Sequence, residues 1–439
     1  MVFRKALFGL LSGLLAFSAV SCDGDNDDDN GVVQSEQFKS VKSAMSREKA
    51  VVDDAQLASF VESQYDLNLA ILREPASKFE KNNAMISTFS IQPALAMTWA
   101  GANGTTADEM KSALRFGDNP HKMLNYLDAL VISKNKEARV SEYNPADAVE
   151  IHTENNLYLA PAEKWSDTWL DTLAVNYGVG IWSTDFAEDP EAARLYINDA
   201  VSKSTHEKIQ DLLPEGSLKP NTEAVITNAV YFKAPWRDHF DLMKTPVSFV
   251  KLDNSEVEVN YIRHSEKYGY AKDDNYTAVS VPLRDNDFEI MFIMPEAGKF
   301  DTVLASLSGK DINKIINNMK REATIDLMIP TYTFTTTVQL SAPFKALGMQ
   351  AAFGAQADFS GMTGGPNGLY ISEIYHKTFI GLDEKGVEAA AATAVVMDKN
   401  GVAFDVVSVT LDHPSIFVIY EKESHTPLFF GQLMDPSKQ

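Results

Sequence analysis

The 439-residue chain holds a single cysteine, Cys22. No internal disulfide framework can form, and no thiol is left in the body of the chain for nucleophilic or metal chemistry. Positive charge is also scarce: 39 lysines and arginines stand against 61 aspartates and glutamates, a formal net charge of -22. Nucleic-acid binding needs a basic footprint, and docking on an anionic membrane face needs the same sign. Neither is expected, and a well-solvated acidic surface is. Long apolar runs are missing: the one at residues 6–20 is too short for a good membrane span. Catalytic signatures are missing too. There is no G-x-S-x-G turn and no G-x-x-x-x-G-K-[ST] loop, and Gly101-Ala102-Asn103-Gly104 is not a dinucleotide loop. Of the histidines His121, His152, His206, His239, His264, His376, His413 and His425, none has a second metal ligand at useful spacing. His206-Glu207 opens like a zinc-protease helix but lacks the second histidine. No metal, cofactor or enzymatic activity is expected.

What is there begins with a leader. Arg4 and Lys5 precede the apolar run, which ends Ala19-Val20-Ser21-Cys22. This resembles the lipobox of bacterial lipoproteins, where the cysteine is lipidated and becomes the new N-terminus; the bland alternative is an ordinary signal peptide. The acidic run that follows, residues 23–30, reads as a solvated tether, and it resembles the surface-export signal of some outer-membrane lipoproteins. The expected organisation is a lipoprotein signal peptide at 1–22, an acidic flexible tether at 23–48 and a single domain at 49–439. Length alone suggests two or three domains, but no repeat, long linker or composition break divides the body. The expected location is lipid-anchored at an outer membrane, on the cell surface or in the periplasm, with Cys22 the only membrane attachment of a monomer.

Hydrophobic residues make up 45% of the chain and aromatics 10%, ample for a large core. Leu57, Phe60, Val61, Leu67 and Ile71 recur at helical spacings from about Asp53. Residues 86–91 read as a short strand feeding a buried helix at 94–101. Ser87 and Ser90 sit there as buried hydroxyls that need partners. Thr106 and Glu109 have the spacing of a capping box. Asp189-Pro190 marks a helix start, and helical periodicity covers 197–209. The β-branched and aromatic run 224–233 predicts a strand with Asn228 inside it. Strands dominate 247–295, a helix is predicted over 300–320, a strand over 325–330, a Gly-rich loop over 361–368, and strands over 416–420 and 428–431.

The organising stretch is 384–414. Its alanine run, 389–392, suits a helix by propensity. Parity argues for a strand: Val387, Ala389, Ala391, Thr393 and Val395 share one small, apolar face. Met397-Asp398-Lys399-Asn400-Gly401 is polar and turn-like, the kind of exposed tip that proteases cut. The pattern reads as a bait loop whose first half can become a strand.

At this point the residues resemble a family, the serpins, over about residues 50 to 436. The matching blocks are Phe89-Ser90-Ile91-Gln92-Pro93-Ala94-Leu95-Ala96-Met97, then Asn228-Ala229-Val230-Tyr231-Phe232-Lys233-Ala234-Pro235-Trp236. Leu347-Gly348-Met349, Ala357-Asp358-Phe359-Ser360-Gly361-Met362 and His376-Lys377 follow in order. Asp383-Glu384-Lys385-Gly386, His413-Pro414 and Leu428-Phe429-Phe430-Gly431 complete the set. The resemblance implies an α+β fold of three β-sheets with eight or nine helices and an exposed reactive-centre loop. After cleavage the large central sheet takes up that loop as an extra strand. It places Ser87, Ser90, Asn228 and His376 at the shutter, a buried polar cluster where the sheet must part, and Trp236 at the breach, where insertion begins. It places Glu384, Gly386, Val387, Glu388, Ala389, Ala390, Ala391 and Ala392 at the hinge. Inhibitory members have small residues there, and this chain agrees. Val387 stands where threonine or serine is common, and Thr88 where proline is.

The implied partner is a protease, serine class first, trapped as an acyl-enzyme while the freed loop inserts. Such insertion is itself an established example of strand addition. About 14 residues at roughly 3.3 Å each make a strand near 45 Å. About a dozen new backbone bonds at roughly 1 kcal/mol net give on the order of 10 kcal/mol, comparable to a domain's stability. Family counting puts the residue before the cut at Asn400, followed by Gly401; members that cut one residue earlier would select Lys399. Met397 would suit an elastase- or chymotrypsin-like enzyme. The loop is about three residues longer than is common in the family. The alternatives are a non-inhibitory binding member of the same fold and an inhibitor of papain-like cysteine proteases. Lys134, Lys136 and Arg139 could suggest a polyanion site, but three charges are more often a solvated face.

Overall fold

The computed structural model describes residues 38–140, 146–387 and 406–438. The largest sheet has seven strands in the order β1 (Phe38–Val41), β4 (Ile181–Thr184), β3 (Glu150–Leu159), β5 (Ala224–Pro235), β16 (Gly386–Val387), β15 (Glu373–Leu382) and β14 (Tyr332–Gln339). A six-stranded sheet runs β10 (Gly269–Lys272), β11 (Tyr276–Pro282), β12 (Phe288–Pro295), β18 (Ser415–Glu421), β19 (Pro427–Leu433) and β2 (Ala84–Ile86). A third sheet has β17 (Val406–Thr410), β13 (Thr324–Pro330), β9 (Tyr261–Glu266) and β6 (Asp241–Leu242), and β7 (Val247–Val250) pairs with β8 (Glu256–Val259). Nine α-helices occur among the described residues. They are α1 (Asp54–Arg73), α2 (Thr88–Trp99), α3 (Gly104–Ala113), α4 (Pro120–Ile132), α5 (Asp167–Tyr177), α6 (Pro190–Ser204), α7 (Phe300–Ser306), α8 (Gly309–Asn318) and α9 (Ser341–Ala346). This is the α+β class with three main sheets that the family resemblance implies.

The central strands show why the chain folds this way. In β5, Ile226, Val230, Phe232 and Ala234 enter the main core, while Val225 and Ala229 enter a second cluster under α6. A strand buried on both faces reads as a near-continuous apolar run. In β15, Ile374, Ile380 and Leu382 face the main core and Tyr375 the second cluster. The same parity sends Asn228, His376 and Thr378 into the main core, where each is at most 1% exposed. Polar groups there need partners.

Several local expectations shift. Residues 38–48, expected from composition to belong to the 23–48 tether, lie in the body. Phe38 stacks on Tyr196 of α6, centroids 4.0 Å apart, and β1 pairs with β4. The strand at 86–91 stops at Ile86, and α2 begins at Thr88, whose hydroxyl accepts from the Asn68 amide at 2.7 Å. The helix over 197–209 ends at Ser204. There the Thr205 hydroxyl takes the Val201 carbonyl (2.8 Å), and His206 and Glu207 both adopt positive φ. The helix over 300–320 is two helices, because Ser308 and Asp311 form a capping box that starts α8. The box expected at Thr106 and Glu109 is absent: α3 starts at Gly104, and both side chains serve tertiary partners. The Thr106 hydroxyl accepts from Asp358 N–H (2.9 Å), and Glu109 accepts from the backbone of Gln350 (2.8 Å) and Ala351 (2.6 Å).

Candidate functional site

The site is a seam in the large sheet. Strands β5 and β15 run parallel and pair from Val225 with Glu373 to Asn228 with His376. At the far end β16 lies between them, antiparallel to both, with Gly386 opposite Pro235 and Val387 opposite Ala234 and Leu382. Between these ends, among the described residues, no strand separates residues 229–233 from 377–381; those segments pair outward with β3 and β14. The centre of the sheet is therefore tied at one end and wedged by two residues at the other.

The tie is polar. His376 Nε2 accepts from the Ser87 backbone N–H at 3.1 Å, so the ring proton sits on Nδ1 and is donated to Asn228 Oδ1 at 2.8 Å. Asn228 Nδ2 donates to Asn155 Oδ1 at 2.5 Å, and the Ser90 hydroxyl donates to the same oxygen at 3.2 Å. Burial pushes the His376 pKa down to about 3, which keeps the ring neutral and able to accept. The four residues expected at this place do meet, with one difference. Ser87 contributes its backbone N–H, while its buried hydroxyl has no protein partner. Asn155, the register partner of Asn228 in β3, was missed. Asparagine is depleted in strands, but that oddity points to Asn155 only once β3 is known to lie beside β5. A second link runs alongside: the Thr378 hydroxyl donates to Met85 O (2.7 Å), and Met85 N–H donates to the Thr336 hydroxyl (2.9 Å).

The wedge is held by Trp236. Its indole N–H donates to Asp383 O (2.8 Å), and its backbone N–H donates to Lys385 O (2.9 Å). Asp383 closes the turn through Glu384 by accepting from Lys385 N–H (2.8 Å) and Gly386 N–H (3.3 Å). Gly386 is required by close approach, since a Cβ there would lie 2.4 Å from Ala234 O. Val387 is 3% exposed and packs in the main core. Glu388, Ala389, Ala390, Ala391, Ala392, Lys399, Asn400, Gly401 and Cys22 lie outside the described residues.

Elsewhere, the three basic residues considered for a polyanion are engaged with acids. Lys134 lies 3.6 Å from Glu421, Lys136 lies 3.2 Å from Asp285, and Arg139 lies 3.7 Å from Asp285. Spacing along the chain pairs no histidine with a second metal ligand, but the fold adds a neighbour that spacing does not show. The fold brings His152 and His206 together beside Glu150, a juxtaposition across elements.

Comparison with known proteins agrees with this architecture. The family model described as serpin (serine protease inhibitor) matches residues 62–436. A serpin-like protein of Thermococcus kodakarensis is 33% identical over 357 residues, 81% of each chain. Among solved structures, tengpin, a thermophilic serpin in its native state, matches with a TM-score of 0.76 at 24% identity, over 91% of this chain and 100% of that one. Thyroxine-binding globulin in complex with thyroxine matches with a TM-score of 0.74 at 27% identity, over 86% of this chain and 99% of that one. With its seam, polar tie and wedge set in a body matched almost throughout, the chain belongs to the serpin family, a family of protease inhibitors.

Proposed function

We propose that this chain inhibits proteases of the serine class by serving as a substrate that traps its enzyme. The observation that carries the reading is β16, two residues of the loop stem already seated between β5 and β15. Register extends the argument. Gly386 pairs with Pro235 and Val387 with Ala234, so each step along the loop is one step back along β5. Thr393 would then meet Asn228, and Met397 would meet Ala224, where β5 begins. Counted against β15 from Leu382 and Val387, Thr393 also meets His376. In an inserted loop, odd-numbered residues would follow Val387 toward the main core, so Ala389, Ala391 and Thr393, all small, would face inward.

The chemistry belongs to the target. Its serine hydroxyl attacks the carbonyl carbon of Lys399 or Asn400, the peptide bond breaks, and the amine of the following residue leaves with a proton. The new ester still holds enzyme to loop. Insertion then carries the enzyme along the sheet before water can cleave the ester. Both candidate bonds fall just past Met397, where β5 runs out of partners. We further propose that residues 1–22 are a lipoprotein signal, that Cys22 carries the lipid, and that the inhibitor works at the outer membrane. The lipobox-like sequence supports that part of the reading.

The test is incubation with a panel of serine and papain-like cysteine proteases. A complex that survives a denaturing gel, with mass spectrometry placing the cut at Lys399–Asn400 or Asn400–Gly401, is the expected result. Pure turnover with every enzyme, and no gain in thermal stability on cleavage, would instead indicate a non-inhibitory binding member.

A further inference from the structure

On the outer face of the large sheet, His152 of β3 lies opposite Tyr231 of β5, and Glu150 lies opposite Lys233. His206 reaches this place from the end of α6. It and Glu207 take φ of 51° and 62°, two left-handed residues in succession, and this turn lays the His206 ring on Tyr231. The centroids are 4.6 Å apart with planes at 26°, and the His152 ring is 5.3 Å from that of His206. Glu150 divides its oxygens. Lys233 Nζ holds Oε1 at 3.0 Å, while Oε2 lies 3.9 Å from His206 Nε2. One ligand atom from each of Glu150, His152 and His206 lies within 4.8 Å of the others.

We propose that Glu150, His152 and His206 form a binding site for a divalent ion of the zinc type. Two imidazoles and one carboxylate are a borderline-soft set that suits zinc, copper or nickel, whereas magnesium and calcium prefer all-oxygen shells. With bonds of about 2.0–2.1 Å, tetrahedral ligand atoms sit about 3.3 Å apart. The three side chains must close by roughly 1–1.5 Å on binding. Both histidines are exposed.

The site's position gives it a consequence. The segment after His206 runs across the seam from β5 to β15. Lys208 Nζ lies 5.2 Å over the Phe379 ring, Lys377 Nζ donates to Gln210 O at 2.5 Å, and Ile209, Leu212 and Leu213 pack with Val225, Ala229 and Tyr375. A metal ion at its start ties this strap to β3, so the strap is harder to displace when a strand enters beneath it. The ion is a brake on insertion; this second part rests on the loop-insertion reading above.

The experiment uses the metal-stripped full chain and Zn2+ alone. Calorimetry should give one Zn2+ per chain. His152→Ala and His206→Asn should each weaken binding by about tenfold or more, since losing even an outer partner of a ligand costs about that. Asparagine is chosen because it tolerates left-handed φ. Amide exchange across residues 205–212 should slow on saturation in the wild type and not in His206→Asn. Unchanged affinity in both variants, or saturation with no change in strap exchange, would overturn the proposal. In a protease assay, Zn2+ should slow loop insertion in the wild type alone, and an equal rate with and without Zn2+ would overturn the brake. If no insertion occurs under any condition, the inhibitory reading fails, and the binding and exchange results still decide the metal site.

Discussion

His376 and Asn228 set the chemistry of the seam at the scale of single residues. The folded His376 pKa is about 3, against an ordinary value of 6.5. As pH falls, the unfolded chain takes up this proton first. The stability that the neutral ring confers is therefore complete above about pH 6.5 and is lost at about 1.4 kcal/mol per pH unit down to about pH 3. Burial also lowers the His121 pKa, to about 4, with the same sign. Urea midpoints measured between about pH 6 and pH 4 should fall steeply in the wild type and less steeply in His376→Gln. Asn228→Ala removes both the acceptor for His376 Nδ1–H and the donor to Asn155. Leaving such buried groups unpaired should cost roughly 2–4 kcal/mol, read from the same midpoints.

For the strand elements, register gives the sharper test. Ala391 would come opposite Val230, inside the sheet, where proline lacks the N–H for the ladder. Ala391→Pro should leave cleavage intact and abolish the gel-stable complex, turning an inhibitor into a substrate. Much at this scale was legible in the sequence. Pro190 at a first helical position and the strand over 224–233 follow from local chemistry and composition. The same local pattern misled at Thr106, because tertiary partners at Asp358, Gln350 and Ala351 claim both side chains of the expected box. It passed unread at Ser308 and Asp311, where it does start a helix. Asn155 and the meeting of His152 with His206 were out of reach for a simpler reason: each depends on which strands and turns become neighbours, and no spacing along the chain encodes that. In contrast, the place of His376 beside Asn228 followed from the family resemblance, which carries such neighbourhood information.

At the scale of the whole molecule, the proposed function implies that the uncleaved chain is not in its most stable state. If insertion contributes on the order of 10 kcal/mol, a body of nearly 400 residues should melt about 10 °C or more higher after a single loop cut. Differential scanning calorimetry before and after cleavage checks this, and an unchanged midpoint would count against insertion. The proposed anchor is tested separately. Cys22→Ser should move the protein from the membrane fraction to the soluble fraction without changing complex formation in a purified assay.

The two residues of β16 have a kinetic meaning. Starting a new strand is ordinarily the slow event, because the chain must close a loop before any pairing offsets the lost entropy. Here Gly386 and Val387 have already made that closure. If the loop inserts as proposed, its uptake resembles growth from a seed: no lag is expected after the cut, and the first existing β5–β15 pairing to open, at His376 and Asn228, comes about half-way.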